Sequence, residues 1–121
     1  MLKILVADDD PTIRTLLSAW LRGASRVILA ADGYQTLQLA RSERPDLIIL
    51  DITMPAAQGF SVHDRLRNLS SVSSVPVIYM SADATLKPGA LAAGGAAFLA
   101  KPFQKDALFE AVREVIPDFS A

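Results

Sequence analysis

The chain has 121 residues, no cysteine and a single histidine, and 51% of its residues are hydrophobic. This length suits one compact domain, the apolar fraction excludes a disordered chain, and no run of about 18 apolar residues could enter a membrane. The absence of cysteine excludes disulfides, zinc–thiolate sites and thiol catalysis, and it fits a cytoplasmic location. With 12 Lys and Arg against 13 Asp and Glu, the formal net charge of −1 argues against a nucleic-acid-binding surface.

Short apolar runs alternate along the chain with segments of helical period. In chain order they predict a strand over Leu2–Ala7, a helix over Pro11–Arg22, a strand over Arg26–Ala30, a helix over Gly33–Glu43, a strand over Leu47–Leu50, a helix over Gly59–Leu69, a strand over Val75–Met80, a helix over Ala84–Gly94, a strand over Ala97–Ala100 and a helix over Lys105–Ile116. Five β-α units in succession predict an α/β fold, with a parallel sheet covered by helices on both faces. They fill residues 1–121 as a single domain.

Polar residues follow four of the five predicted strands. Because the carboxyl ends of parallel strands meet at one edge of the sheet, we expect five side chains to gather there: Asp8, Asp9, Asp51, Ser81 and Lys101. Carboxylate oxygens without His or Cys favour a hard cation, and Mg²⁺ fits this donor set. A lysine and a hydroxyl beside that cation suit an anion such as a phosphoryl group. The residues therefore predict a phosphoryl-transfer site.

Each of these groups, taken alone, also has an ordinary structural explanation. The three aspartates before Pro11 could cap a helix, Asp51 could begin a turn, and Ser81 or Asp83 could cap the next helix. Their shared position at one sheet edge favours the functional interpretation. The residues alone do not distinguish a covalent nucleophile from a general base at Asp51.

Five motifs, in their order and spacing, match a known family. They are ILVADDD at 4–10, AADG at 30–33, LIILDITMPAAQG at 47–59, PVIYMSA at 76–82 and AFLAKPF at 97–103. Over essentially its whole length the sequence resembles the receiver domain of two-component response regulators. The resemblance implies the flavodoxin-like receiver fold, with strand order 2-1-3-4-5 and five helices. It also implies a regulatory phosphoacceptor and not an enzyme, apart from self-catalysed phosphotransfer and autodephosphorylation.

The resemblance gives each strand-end residue a role. Asp51 is implied as the phosphoacceptor, phosphorylated by a histidine kinase or a phosphotransfer protein, with Ser81 and Lys101 binding the phosphoryl group. The implied Mg²⁺ ligands, with Mn²⁺ as a possible substitute ion, are Asp8, Asp9, Asp51 and the backbone carbonyl of Thr53. Thr53 and Asp83 are implied to flank the path of the attacking water and to tune the phosphoryl lifetime.

The resemblance also implies a switch. Its residues would be Ser81, Phe98, Lys101 and Pro102, the last after a cis peptide bond. Phosphorylation would draw in the loop after strand four and turn Phe98 inward, and so alter the surface of helix four, strand five and helix five. An output partner, which the sequence does not identify, would read that surface. We expect a monomer or a weak, phosphorylation-dependent dimer, without direct nucleic-acid contact or membrane insertion.

Several residues depart from the family pattern. Phe98 lacks the hydroxyl of a tyrosine, Gln58 replaces a commoner acid or amide, and Gly95 stands where alanine is commoner. The short interval from Ser81 to Lys101 contains Pro88-Gly89, which predicts a short or mobile fourth helix. The lone histidine, His63, is interpreted as a polar surface position of helix three, although its surroundings faintly resemble a kinase histidine box.

Two other functions remain open at this point. The first is a receiver-like interaction module that works without phosphorylation. The second is a phosphatase of the haloacid dehalogenase type, which also uses a strand-end aspartate with Mg²⁺. Such phosphatases usually have a second aspartate where this chain has Thr53, and their acidic pair follows the nucleophile, whereas Asp8 and Asp9 precede it.

Overall fold

The computed structural model describes residues 1–54, 59–69 and 73–120, without the side chains of residues 59–61. Five parallel strands form one sheet in the order β2-β1-β3-β4-β5. The strands are β1 (Lys3–Ala7), β2 (Arg26–Ala30), β3 (Leu47–Asp51), β4 (Val77–Ser81) and β5 (Ala97–Ala100). The predicted α/β architecture and the strand order implied by the resemblance are therefore confirmed.

The strands alternate with helices α1 (Pro11–Leu21), α2 (Gly33–Glu43), α3 (Gly59–Arg67), α4 (Lys87–Ala92) and α5 (Lys105–Val115), and a single 3₁₀ turn over Ala84–Leu86 precedes α4. Aspartates cap the first two helices. The Asp10 carboxylate accepts a hydrogen bond from the Thr12 amide at 2.9 Å, and the Asp32 carboxylate accepts one from the Gln35 amide at 2.8 Å. The helix starts are thus fixed locally by the sequence.

The helices pack in two layers because alternate strand residues point to opposite faces of the sheet. On one face Ile4, Val6 and Ile49 pack with α1 and α5. On the other face Leu5 and Leu50 pack with residues of α2, α3 and α4. All of β3 and β4 is buried, as their uninterrupted apolar sequences predict.

Two strand ends correct the sequence prediction. Asp51 and Ser81 do not follow their strands but are the last residues of β3 and β4, where Asp51 pairs with Met80 and Ser81 with Ala100. The apolar runs predict strands that end one residue earlier, yet backbone pairing continues through one further polar residue in each. At its other end β4 begins at Val77, two residues later than predicted, after Pro76.

The predicted fourth helix over Ala84–Gly94 is divided into the 3₁₀ turn and the six-residue α4. No side chain caps the start of α4, and Pro88 and Gly89 lie within its first turn. The chain leaves at Gly94, whose φ of 102° is costly for residues with a side chain. The short fourth helix is confirmed, while its mobility stays a prediction. Among the helices of the described ranges, none is long and apolar enough to cross a bilayer.

Candidate functional site

The carboxyl edge of the sheet brings the predicted site residues together. Asp8 and Asp9 follow β1, Asp51 ends β3, Ser81 ends β4 and Lys101 follows β5. The parallel register sets these ends at similar heights, since Ala7 pairs with Leu50. Asp8, Asp51 and Ser81 are buried, with exposed fractions of 0%, 2% and 0%. Buried polar side chains need partners, and the partners lie within the site.

Lys101 joins three strand ends through one ammonium group. Its Nζ donates to Asp8 Oδ2 at 2.6 Å and to Asp51 Oδ2 at 3.2 Å. Burial alone would lower the pKa of the Lys101 ammonium, but its hydrogen bond to Asp8 and the charges of Asp8 and Asp51 together raise it. The lysine is therefore charged at neutral pH and holds the two buried carboxylates in place.

The remaining carboxylate oxygens are also held. Asp51 Oδ1 accepts from the backbone amide of Thr53 at 2.9 Å and from its hydroxyl at 2.8 Å. Asp8 Oδ1 accepts from the Asp10 amide at 2.9 Å. Both carboxylates are thus oriented by donors two residues further along the chain, in the manner of Asx turns. The rotation of the Asp51 carboxylate is fixed before any ligand arrives.

Three carboxylates of the site can share one cation. Oxygen atoms of Asp8, Asp9 and Asp51 lie within 4.8 Å of one another. Burial raises the pKa of Asp8, because it removes water from the charged carboxylate, and the charge of Asp51 acts in the same direction. An all-oxygen set with one exposed member suits Mg²⁺, which keeps several waters. The residues present therefore fit the predicted ion, while the Thr53 carbonyl as a further ligand stays a prediction.

Ser81 and Asp83 form a second turn at the edge. Ser81 Oγ accepts from the Asp83 amide at 3.0 Å. The Asp83 carboxylate accepts from the side chain and the amide of Thr85, and these hydrogen bonds lower its pKa. Asp83 therefore caps the 3₁₀ turn, which is one of the two interpretations that the sequence left open for it. Its influence on phosphoryl lifetime stays a prediction.

The remaining switch residues lie beside this edge. Phe98 is half-buried in β5 and lines a groove of about 340 Å³ between α4, β5 and α5, together with Leu91 and Glu110. The Lys101–Pro102 peptide bond is cis, as the resemblance implies. Gln58 falls outside the described residues.

Arg14 contacts the site, and the sequence did not predict this contact. Its Nη1 donates to the backbone carbonyl of Asp8 at 2.7 Å and so ties α1 to the exit of β1. The helical sequence places Arg14 one turn after Asp10, but a bond from a side chain to a carbonyl six residues back follows no regular spacing. Only the path of the chain after β1 reveals it.

The predicted surface position of His63 is wrong. Only 5% of its surface is exposed, and its Nδ1 is hydrogen-bonded to the hydroxyl of the buried Tyr79 on β4. Burial lowers the pKa of His63 and raises the pKa of Tyr79. His63 lies three residues before the buried Leu66, so helical spacing was the signal that could have placed it in the core.

Comparisons with known proteins agree with this geometry. The profile of the response regulator receiver domain matches residues 4–113. Protein PilG of Pseudomonas aeruginosa is 34% identical over 98% of this chain and 90% of its own length. The chemotaxis response regulator CheY4 of Vibrio cholerae superposes with a TM-score of 0.89 at 32% identity, over 95% of this chain and 98% of that one. A third similar structure is the receiver domain of a sensor histidine kinase from Pseudomonas aeruginosa, with a magnesium ion coordinated in its active-site cleft. It has a TM-score of 0.87 at 32% identity, over 97% and 98% of the two chains.

Proposed function

Because the chain belongs to the response regulator receiver domain family, we propose that it is a phosphoacceptor switch whose Asp51 takes a phosphoryl group from a histidine kinase or a phosphotransfer protein. The observation that carries this proposal is the position of Lys101 Nζ between Asp8 and Asp51. A lysine held at the nucleophile can neutralise charge on an incoming phosphoryl group without reorganisation. The regulatory, non-enzymatic character of the chain is part of the same proposal.

In the transfer step a carboxylate oxygen of Asp51 attacks the phosphorus of a phosphohistidine in line. The new O–P bond forms as the N–P bond breaks, and the imidazole leaves with the electron pair and takes up a proton. Thr53 orients the carboxylate through its two hydrogen bonds. Lys101 stays within reach of the transferred group. Mg²⁺, held by Asp8, Asp9 and Asp51, would neutralise negative charge on the phosphoryl oxygens.

The switch follows from the charge that the phosphoryl group carries, about −1.5 to −2 at neutral pH. Ser81 Oγ accepts from the Asp83 amide, so its own O–H can donate to a phosphoryl oxygen. Movement of Ser81 toward the group would pull on the 3₁₀ turn capped by Asp83. That turn leads directly into α4, so the displacement would reach the groove of Phe98 between α4, β5 and α5. An output partner would bind there.

Intact-mass spectrometry with acetyl phosphate and Mg²⁺ tests the proposal. We expect a gain of one phosphoryl group that requires Mg²⁺ and is absent in Asp51→Asn. Asp10→Asn is the matched control, because asparagine retains the helix cap and Asp10 lies outside the carboxylate cluster.

Two outcomes would replace this proposal. Multiple turnover of a phosphomonoester would identify a phosphatase of the haloacid dehalogenase type. The absence of both phosphorylation and a response to beryllofluoride would identify a phosphorylation-independent interaction module. The complete set of site residues disfavours that module, and the position of the acidic pair before Asp51 disfavours the phosphatase.

A further inference from the structure

A groove between α2 and α3 lies away from the phosphorylation site. It consists of two adjoining depressions of about 290 and 310 Å³, and both are lined by Leu37 and Arg41 of α2 and by Arg65 of α3. Tyr34 lines one depression, and Asn68 and Leu69 line the other. We call this the α2–α3 groove. Two adjoining depressions suit an extended or helical segment better than a single ion.

Charge in the α2–α3 groove is of one sign. Arg41 and Arg65 come from different helices, and neither forms an ion pair with a carboxylate in residues 1–54, 59–69 or 73–120. No acidic side chain is among the described residues that line the groove. In the sequence Arg41 and Arg65 are two separate charged positions on different helices, and only the tertiary structure shows that they line the same depression. Two guanidinium groups in one depression favour carboxylates, which they bind with two parallel hydrogen bonds each.

The remaining lining is apolar and aromatic. Leu37 and Leu69 are half-buried, whereas Tyr34 is 70% exposed. The Tyr34 hydroxyl accepts a hydrogen bond from Gln38 Nε2 at 3.1 Å, one turn further along α2. Tyrosine and arginine are residues enriched where proteins bind one another.

The groove of Phe98 has the opposite charge. It is lined by Glu110 and Glu114 of α5 and by one lysine, Lys87. An acidic partner would be repelled there and attracted to the α2–α3 groove, on a different part of the molecule. The two grooves therefore select different partners.

We propose that the α2–α3 groove binds an acidic segment of a partner protein, with carboxylates paired to Arg41 and Arg65 and a leucine-like side chain against Leu37 and Leu69. This binding is independent of the phosphorylation of Asp51. It would let the chain be held by one protein while its phosphorylation-dependent surface remains accessible to another.

Titration with a synthetic peptide, followed by amide chemical shifts in NMR, tests the proposal. The probe is a capped nine-residue peptide with leucine at every third position and glutamate elsewhere, and its matched control carries glutamine in place of glutamate. We expect saturable shifts at Leu37, Arg41, Arg65 and Leu69 with the glutamate peptide, and no saturable shifts with the glutamine peptide.

Paired variants test whether Arg41 and Arg65 are responsible for peptide binding. Arg41→Glu with Arg65→Glu should weaken peptide binding at least about tenfold, because attraction becomes repulsion at both positions. Arg41→Lys with Arg65→Lys keeps the charge but loses the planar fork, so it should give a smaller loss. Arg22→Glu with Arg113→Glu makes the same change of net charge at the end of α1 and on α5, across the sheet. It should change binding less than about twofold, since salt screens charges beyond about 8 Å.

Each of four outcomes would overturn the proposal. These are no saturable shifts, shifts centred on Phe98 and Glu110, equal binding by the charge-reversed and native chains, and the same shifts with inorganic phosphate alone. Analytical ultracentrifugation provides a further check. Self-association that the Arg41→Glu, Arg65→Glu variant abolishes would make a second copy of this chain the occupant. All variants change exposed side chains, and their thermal unfolding should match that of the native chain.

Discussion

Lys101 shows how much one side chain contributes to the site. It stands 93 residues from Asp8 and 50 residues from Asp51 in the sequence, yet its ammonium group donates to both. Without it, the two buried carboxylates would lose the ammonium that lies between them and would repel each other. The lysine therefore supports the folded edge of the sheet as well as the proposed chemistry.

At the residue scale, His63 predicts a pH dependence of stability. Its pKa in the folded chain is lowered by burial and by the charge of Arg67, against a smaller opposite effect of Asp64. Because the pKa of His63 is lower in the folded chain than in the unfolded chain, the unfolded chain takes up the proton first as pH falls. The contribution of His63 to the free energy of unfolding is complete above its pKa in the unfolded chain, about 6.5. It is lost as pH falls through the lowered pKa of the folded chain.

Urea unfolding at a series of pH values from neutral to mildly acidic measures this effect. The native chain should lose stability as pH falls, at most about 1.4 kcal/mol per pH unit from one proton. His63→Phe removes the titrating group, so its curve should be flatter over the same range, whatever its absolute stability. Parallel curves for the two proteins would contradict the assignment.

The close packing around Gly95 predicts that a side chain there would clash with its neighbours, although the family more often has alanine at this position. A Cβ at Gly95 would lie 2.6 Å from Cδ2 of Tyr79 and 2.9 Å from the carbonyl oxygen of Ala90. Gly95→Ala should therefore lower the free energy of unfolding by about 1–3 kcal/mol. Chemical denaturation measures the change.

Two further variants test whether a steric clash at Gly95 is the cause of the lost stability. Gly23→Ala is the matched control, because a Cβ there meets nothing within 4 Å, and it should be neutral within about 0.5 kcal/mol. In the background of Tyr79→Leu, Gly95→Ala should cost less than it does in the native chain. An undiminished cost in that background would place the clash entirely on the backbone at Ala90.

At the element scale, α4 is the weakest helix of the described fold. It has six residues, contains Pro88 and Gly89, and buries one side chain, Ala90. By contrast α5 has eleven residues and buries Leu108, Phe109, Ala111 and Val112. Since helical stability in proteins comes mainly from packing, α4 should open far more readily than α5.

Native-state hydrogen exchange compares the two helices directly. Amides of residues 87–92 should exchange at least about tenfold faster than the buried turns of α5, relative to their intrinsic rates. Protection of α4 equal to that of α5 would show a rigid output surface and contradict the prediction. A readily opened α4 would suit a switch whose signal passes through the turn capped by Asp83.

At the scale of the whole molecule, five parallel strands convert scattered residues into one site. The order β2-β1-β3-β4-β5 sets β1 beside β3 at the centre, so the acids that follow β1 lie next to Asp51. The two helical layers bury opposite faces of the sheet. A site built on the ends of its buried central strands is therefore coupled to the stability of the whole domain.

That coupling predicts stabilisation by Mg²⁺. An ion that binds only the folded chain adds RT ln(1 + [L]/Kd), which is about 1.4 kcal/mol at ten times Kd. The melting temperature should rise by a few degrees with added MgCl₂. Differential scanning calorimetry measures the shift.

Two substitutions separate ion binding from a general salt effect. Asp8→Asn removes a cluster carboxylate and should abolish the Mg²⁺-dependent rise, whereas Asp10→Asn, which keeps the cap of α1, should retain it. An equal rise in both variants, or the same rise with NaCl at matched ionic strength, would argue against an ion held by Asp8, Asp9 and Asp51.

Local sequence patterns were sufficient to predict the helices and strands and to identify the residues of the site. Apolar strand runs, aspartate caps and helical periods act between near neighbours, so they predicted ten elements with boundary errors of a residue or two for most of them. The fourth helix deviated most, because Pro88 and Gly94 shortened it. Parallel strands all end at one edge, which is why Asp8, Asp51, Ser81 and Lys101 could be grouped before their contacts were known.

By itself the sequence determined the α/β architecture, the acidic edge and the identity of its lysine, because each depends on residue type and short-range spacing. The tertiary structure alone decided which distant side chains meet. It placed His63 against Tyr79, set the Tyr79 ring against Gly95, and brought Arg41 and Arg65 to one groove. Such contacts depend on how helices, strands and loops pack on one another, and the meeting of two particular side chains leaves no periodic trace along the chain.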